Sequence, residues 1–174
     1  MSLPGRPKGE YRNAKHGGCP MSLMRTMILA TAVLGLTPAG AQTPAKLKVG
    51  LMLPYTGTFA ALGVAITNGF KLAVEERGGK LGGREIEYIV VDDESNPAKA
   101  PENANKLIQR DKVDVIIGTV HSGVAMGMAK VIREAGTLWI NPNAGAGAVT
   151  GALCAPNIFR TSFSNWQTTY ALGK

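Results

Sequence analysis

The sequence predicts an α/β domain, a doubly wound parallel sheet with helices on both faces. Two observations predict it. From Lys46 onward, apolar segments of strand length alternate with segments of helical periodicity, which is the pattern of a sheet built from βαβ units. The chain has 174 residues and is 45% apolar, which is enough to bury the core of one such domain.

The first βαβ unit contains two strands and one helix. Its first strand covers Leu47 to Leu53 and ends at Pro54, and a helix follows over about residues 59–77. Apolar residues recur there at helical spacing and should face the sheet: Leu62, Ile66, Phe70 and Ala73 or Val74. A glycine-rich break at residues 78–83 then releases the second strand, Arg84 to Asp92.

Three further strands continue the alternation. A second helix is predicted over about residues 100–110, and the strand Val113 to Gly118 follows it. A third helix separates that strand from Leu138 to Asn141, and Ile158 to Ser162 forms the last strand. The third helix carries its own apolar stripe: Val124, Met128, Val131, Ile132 and Ala135.

Residues 1–41 precede the predicted fold and have the features of an export signal. Met24-Arg25 supplies a positive charge, Thr26 to Leu36 an apolar run, and Ala39-Gly40-Ala41 a small-residue cleavage pattern. We therefore predict a signal peptide over residues 21–41, cleaved after Ala41, with residues 1–20 as an over-extended N-terminus. The alternative, a membrane anchor, is disfavoured because a run of about a dozen residues is shorter than the roughly 20 that span a bilayer.

The positive charge of the chain lies mainly before the fold. The formal net charge is +7, but residues 42–174 contain 14 Lys and Arg against 11 Asp and Glu, a net of +3. These basic residues are dispersed and form no stripe interleaved with aromatic residues. The sequence therefore predicts no nucleic-acid partner.

Cysteines and acidic residues provide no predicted cofactor or metal site. Cys19 and Cys154 lie on opposite sides of the predicted cleavage, so Cys154 is either a small buried thiol or pairs with a cysteine outside the chain.

Asp92, Asp93 and Glu94 could bind a divalent cation, but three acids at a strand exit are more typical of a solvated capping cluster. The glycine spacing at residues 145–151 resembles a dinucleotide fingerprint weakly, which leaves a nucleotide-using α/β enzyme as an alternative function.

Four loops that follow strands form the predicted binding site, because ligands of doubly wound sheets bind beyond the carboxyl ends of the strands. They are residues 54–58, 92–96, 119–123 and 141–146. Ser122 heads the third helix, where its hydroxyl and the N–H groups of Ser122 and Gly123 would hold a carboxylate. Small residues at Ala144 and Gly145 would expose further backbone donors. The alternative for Ser122 is a plain helix cap.

Two aromatic residues of the first loop could form the apolar wall of the site. Tyr55 and Phe59 could contact a ligand, or they could simply pack against the fold. The pair His121 and Ser122 does not predict a hydrolase, because adjacent side chains point apart and no Gly-x-Ser-x-Gly elbow surrounds the serine. We therefore expect binding without catalysis.

Several motifs, taken in order, resemble one protein family. They are Lys46 to Gly50 with Pro54 to Gly57, the glycine turn Gly78 to Arg84, the acidic motif Asp92 to Ala100, and Ile117-Gly118 with Ser122-Gly123. Together they resemble the branched-chain amino acid type of periplasmic solute-binding protein (Leu/Ile/Val-binding-protein-like), the capture component of an ABC importer. The resemblance implies a periplasmic protein that binds a small carboxylate, needs no cofactor, and delivers its ligand to an ABC permease.

The resemblance also implies roles for particular residues. Ser122 matches the serine that grips the ligand carboxylate, and Asn143 and Gly145 fall in the loop that completes the grip. Amino-acid binders commonly have a threonine where this chain has Gly145, and some members have an aromatic residue at Leu62. The segment from Cys154 to Gln167 is closer to members associated with aromatic acids, so an aromatic-acid ligand is an alternative to a branched-chain amino acid.

Members of this family are two-lobed clamshells. The resemblance implies that residues 42–174 form the N-terminal lobe, incomplete at its C-terminus, and that this lobe alone binds ligand poorly because a second lobe normally closes over it. A ligand-sensing domain of a receptor that uses the same lobe is a further alternative.

Overall fold

The computed structural model describes residues 44–173, so the predicted N-terminal extension and signal peptide lie outside the described residues. Six strands in this range form one sheet, and four helices accompany them. The elements are β1 Leu47–Leu53, α1 Ala60–Glu75, β2 Lys80–Leu81, β3 Arg84–Asp92, α2 Ala100–Asn105, β4 Val115–Ile117, α3 Ser122–Ala135, β5 Leu138–Asn141, β6 Ile158–Arg160 and α4 Asn165–Thr169.

The strand order is β2-β3-β1-β4-β5-β6. All neighbouring strands are parallel except β2, which pairs antiparallel with β3. The chain leaves β1 toward β3 on one side and then returns to place β4 on the other. The direction of winding therefore reverses between β1 and β4, and the loops after these two strands diverge to open a crevice at the carboxyl edge of the sheet.

Helices cover both faces of the sheet, as predicted. The larger core lies under α2 and α3, where Ile116, Met128 and Trp139 are fully buried. The opposite face packs Val49 and Leu51 with the half-buried Phe70 of α1, among other residues. Both apolar layers fix the positions of the strand ends, and thereby the shape of the crevice.

Most predicted strands match the structure. The bounds of β1, β3 and β5 are those predicted, whereas β4 and β6 are shorter than predicted. The sequence interpretation missed β2, a two-residue strand that turns into β3 through Gly82 and Gly83. Both glycines have positive φ, 57° and 77°, which side chains disfavour, so this turn depends on them.

The region predicted as a single second helix has three parts. A 3₁₀ turn at Pro97–Lys99, capped by the side chain of Asn96, leads into α2. A π-helical turn at Lys106–Arg110 then ends the segment. The predicted start at Ala100 is confirmed, but the regular α-helix is shorter than expected.

Three predicted burials are wrong. The Leu62 side chain is 45% exposed, because the buried positions of α1 are Gly63, Thr67 and Val74. Phe70 and Val74 of the predicted stripe do face the sheet. Ala135 at the end of α3 is also exposed. Cys154 is a free, exposed thiol rather than a buried one, because it lies in a turn before β6. Within residues 44–173, no helix is long and apolar enough to cross a membrane.

Candidate functional site

A cleft of about 280 Å³ lies at the carboxyl edge of the sheet. Its lining comes from the start of α1, the β4–α3 loop, the loop after β5 and the segment that joins β6 to α4. The lining residues are Phe59, Leu62, Val120, His121, Ser122, Asn143, Gly145, Phe163 and Asn165. Four of the residues predicted for the site are therefore brought together: Phe59, Ser122, Asn143 and Gly145.

The first turn of α3 supplies donors to this cleft. His121, not Ser122, is the N-cap: its Nδ1 accepts hydrogen bonds from the N–H groups of Gly123 at 3.1 Å and Val124 at 3.3 Å. Ser122 is the first helical residue, and its N–H has no hydrogen-bond partner among residues 44–173. The positive end of the α3 dipole therefore reaches the cleft mainly through Ser122, while Gly123, a predicted ligand donor, is already bonded to His121.

The loop after β5 is held by a buried asparagine. Asn141 is fully buried; its Nδ2 donates to the carbonyl of Ala144 at 2.8 Å, and its Oδ1 accepts from Asn143 N at 3.3 Å and Ala144 N at 2.9 Å. Ala144 is therefore buried inside the loop, so its amide does not face the cleft as predicted. The N–H of Gly145 has no partner within the described part of the chain and remains a donor for the cleft.

Apolar residues also contribute to the wall of the cleft. Phe59 precedes α1, and its ring centroid lies 5.8 Å from that of His121. Leu62 and Phe163 complete this wall. The exposure of Leu62, unexpected for a core residue, is thus explained by its position at the cleft.

Tyr55 does not line the cleft, contrary to the prediction. Its hydroxyl hydrogen-bonds Thr67 Oγ1 at 2.8 Å, which turns the ring toward α1. Burial is the main cause that raises the pKa of the Tyr55 hydroxyl, although the hydrogen bond to Thr67 opposes it. Tyr55 therefore fastens the β1–α1 loop to the helix.

Asp92 organises the same loop with its carboxylate. Burial acts to raise the pKa of Asp92, but hydrogen bonds from Thr56 Oγ1 at 2.6 Å and from the amides of Tyr55, Glu94 and Thr56 outweigh it and hold the pKa below its usual range. Asp92 is therefore a charged carboxylate that ties the loop after β1 to the end of β3.

Asp93 has the opposite environment, because it is fully buried, contrary to the prediction of a solvated cluster. Its carboxylate accepts hydrogen bonds from Thr119 Oγ1 and from the Ser95 amide, the latter at 2.8 Å. Burial nevertheless raises the pKa of Asp93, and the neighbouring charge of Asp92 adds to the increase. Asp93 therefore joins the loop after β3 to the β4–α3 loop, which contributes lining residues to the cleft.

Five lining residues were not among the predicted site residues: Leu62, Val120, His121, Phe163 and Asn165. Val120 and His121 lie in a predicted site loop, and Leu62 was named with the family resemblance, but Phe163 and Asn165 were not placed in the site. They follow β6, and the loop after that strand was not included among the predicted site loops. Its position after a strand of the same parallel sheet was the signal that could have identified it.

The lining offers donors for an anion and no anionic group of its own. It contains hydroxyl, amide and imidazole groups but neither Asp nor Glu. Within residues 44–173, no group of three His, Cys, Asp or Glu side chains is placed to hold a metal ion. The geometry therefore suits a small carboxylate with an apolar body.

Comparisons with known proteins agree with this description. The model of the periplasmic binding protein family matches residues 46–174. The Leu/Ile/Val-binding protein BraC3 of Rhizobium johnstonii is 35% identical over 130 residues, which cover 71% of this chain and 35% of that protein.

Solved structures show the same relationship. An R. palustris ABC transporter solute-binding protein, crystallised in complex with benzoate, is 58% identical with a TM-score of 0.70 over 74% of this chain and 38% of that one. The leucine-binding protein LivK of Thermotoga maritima is 27% identical with a TM-score of 0.67 over 72% of this chain and 35% of that one. The chain thus spans little more than a third of the length of these proteins.

Proposed function

The chain belongs to the periplasmic binding protein family, and we propose that it is the exported solute-binding component of an ABC importer whose ligand is an aromatic carboxylate such as benzoate. The observation that carries the proposal is the composition of the cleft. Donors from Ser122 and Gly145 line the same cleft as the aromatic residues Phe59 and Phe163.

The donors favour the carboxylate end of a ligand. The Ser122 hydroxyl, its free N–H at the start of α3 and the free N–H of Gly145 can each donate to an oxygen atom. Asn143 adds a side-chain amide to the same wall. Gly123 and Ala144 contribute through the backbone shape of their loops rather than through their own N–H groups.

Within this lobe, the lining favours a ligand that carries no cation. A branched-chain amino acid carries an ammonium group, and burying that charge without an anionic partner is unfavourable. None of the residues that line the cleft in residues 44–173 supplies such a partner, whereas benzoate requires none. The benzoate bound to the R. palustris relative supports the same choice.

A branched-chain amino acid remains the second candidate ligand, because BraC3 is named as a Leu/Ile/Val-binding protein. In either case we propose capture without catalysis. His121 Nδ1 is occupied by the amides of α3, and the side-chain partner of the Ser122 oxygen is Asn165 rather than a base. Export through the signal peptide to the periplasm, and transfer of the ligand to a membrane permease, complete the proposal.

Binding can be mapped by titrating the ¹⁵N-labelled chain with sodium benzoate and, separately, with leucine while amide NMR signals are followed, a method that also detects the weak affinity expected of a single lobe. We expect benzoate to shift the signals of Ser122, Gly145 and Phe163, and leucine to shift them less. Ser122→Ala should weaken benzoate binding by about 1 to 3 kcal/mol, the usual cost of removing a hydrogen bond to a charged group.

Thr150→Ala provides a matched control, because it also removes a hydroxyl group but at an exposed residue outside the cleft. Its affinity for benzoate should equal that of the unmodified chain. The proposal fails if benzoate shifts signals elsewhere but not around the cleft, or if Ser122→Ala binds benzoate with unchanged affinity. Stronger binding of leucine than of benzoate would favour the second candidate.

A further inference from the structure

Asn165 spans the cleft between two residues of the proposed carboxylate site. Its backbone N–H donates to the carbonyl of Gly145 at 2.8 Å, and its side-chain Nδ2 donates to Ser122 Oγ at 3.3 Å. Ser164 caps α4 immediately before it, in a reciprocal pair of hydrogen bonds with Gln167. The backbone of Asn165 is therefore fixed, and its side chain joins α4 to the start of α3.

Gly145 leaves room for this side chain. A Cβ atom added at Gly145 would lie only 2.1 Å from Asn165 Oδ1 and 2.9 Å from its backbone nitrogen. Any residue with a side chain at position 145 would therefore displace Asn165. The polar group beside Ser122 thus comes from α4, and not from the loop after β5.

The contact with Asn165 also determines how the Ser122 hydroxyl can bond. A hydroxyl group has one proton to donate and lone pairs that accept. Because Asn165 Nδ2 donates to the Ser122 oxygen, the hydroxyl proton is left free to point into the cleft. A ligand carboxylate would then receive that proton in a charge-assisted hydrogen bond.

We propose that Asn165 is a positioning residue, which makes the cleft selective for anionic ligands by holding the Ser122 hydroxyl as a donor. This inference rests on the proposed function, since it concerns the same carboxylate site. It makes a specific prediction: the effect of Asn165 on ligand affinity passes through Ser122 and is larger for a charged ligand than for a neutral ligand of the same shape.

A double-mutant cycle tests the inference. The chain, Asn165→Ala, Ser122→Ala and the double variant are each titrated with sodium benzoate and with benzamide, its neutral analogue, and followed by amide NMR. Asn165→Ala should raise the dissociation constant for benzoate about three- to tenfold. It should change benzamide binding less, and it should have no further effect in the Ser122→Ala background.

Asn105→Ala is the matched control, because Asn105 is an exposed asparagine of α2 that does not line the cleft. It should bind benzoate as the unmodified chain does. The inference is overturned if Asn165→Ala leaves benzoate affinity unchanged, weakens benzamide equally, or has its full effect without Ser122. If the unmodified chain shows no benzoate-dependent shift at the cleft, the proposed function fails first, and this inference fails with it.

Discussion

Gly63 is the point where α1 comes closest to the end of β1. A Cβ atom placed at Gly63 would lie 1.9 Å from the Pro54 carbonyl oxygen, whereas real Cβ contacts are essentially never shorter than 3.0 Å. The helix and the strand end would therefore have to separate by 3.0 − 1.9 = 1.1 Å. Both sides of this contact are backbone, so no flexible side chain can absorb the movement.

We expect Gly63→Ala to destabilise the chain relative to Gly69→Ala, its matched control in the same helix. A Cβ atom at Gly69 meets nothing within 4 Å, so that variant should gain only helix propensity, about 0.5 to 1 kcal/mol. Gly63→Ala gains a similar propensity but also incurs the strain of overpacking, which is typically about 1 to 3 kcal/mol. The two variants should therefore differ by about 1 to 3 kcal/mol.

Urea denaturation of the two variants, followed by circular dichroism, measures this difference. Equal denaturant slopes are required for the comparison, since they show that the same surface is exposed on unfolding. Because Phe59 and Leu62 precede Gly63, the displaced helix should also weaken benzoate binding in Gly63→Ala but not in Gly69→Ala. Equal stability of the two variants would refute the close packing of α1 on Pro54.

Two further pairs of variants test the contacts that hold the loops of the cleft. Asp92→Asn should cost most stability near neutral pH and least in acid. The pKa of Asp92 is lower in the folded chain than in the unfolded chain, so its carboxylate stabilises the fold above the unfolded pKa, and this stabilisation is lost as pH falls through the folded pKa. Asp93→Asn should instead become more stable relative to the unmodified chain as pH rises above about 4, because the raised pKa of Asp93 in the folded chain lowers the stability of the unmodified chain there. Urea denaturation at several pH values measures both variants. Their differences in unfolding free energy from the unmodified chain should change with pH in opposite directions, and a change in the same direction would contradict the assignments. Trp139→Phe should destabilise by about 1 to 3 kcal/mol, because its buried Nε1–H donates to the Gly118 carbonyl at 2.5 Å. Trp166→Phe is the control, because Trp166 is 66% exposed, and it should change stability by less than about 0.5 kcal/mol. Thermal unfolding measures both variants, and an equal loss of stability in the two would count against the Trp139 contact.

The strands could be predicted from sequence because hydropathy and chain breaks act together. β1 is a continuous apolar run that stops at Pro54, and β3 starts directly after Gly83. The buried face of α1 could be predicted only in part. Phe70 and Val74 were expected there, but Gly63 and Thr67 also occupy it, and neither of these contributes to an apolar stripe.

The place of the cleft was predictable, whereas the orientation of its side chains was not. Loops after parallel strands meet at one edge, so Ser122, Asn143 and Gly145 were expected near one another. The hydrogen-bond partner that each side chain selects depends on tertiary neighbours. Tyr55 therefore turned to Thr67, and His121 became the helix cap that had been considered for Ser122.

The buried amide of Asn141 has a consequence for how new specificities can arise. Because this side chain hydrogen-bonds the turn after β5, the conformational entropy of the turn is already lost on folding. Ligand binding would therefore not have to offset that entropy cost. The residues proposed to contact a ligand are then not needed to stabilise the turn. Substitutions in the lining of the cleft can accordingly change the preferred ligand without altering the turn that Asn141 holds.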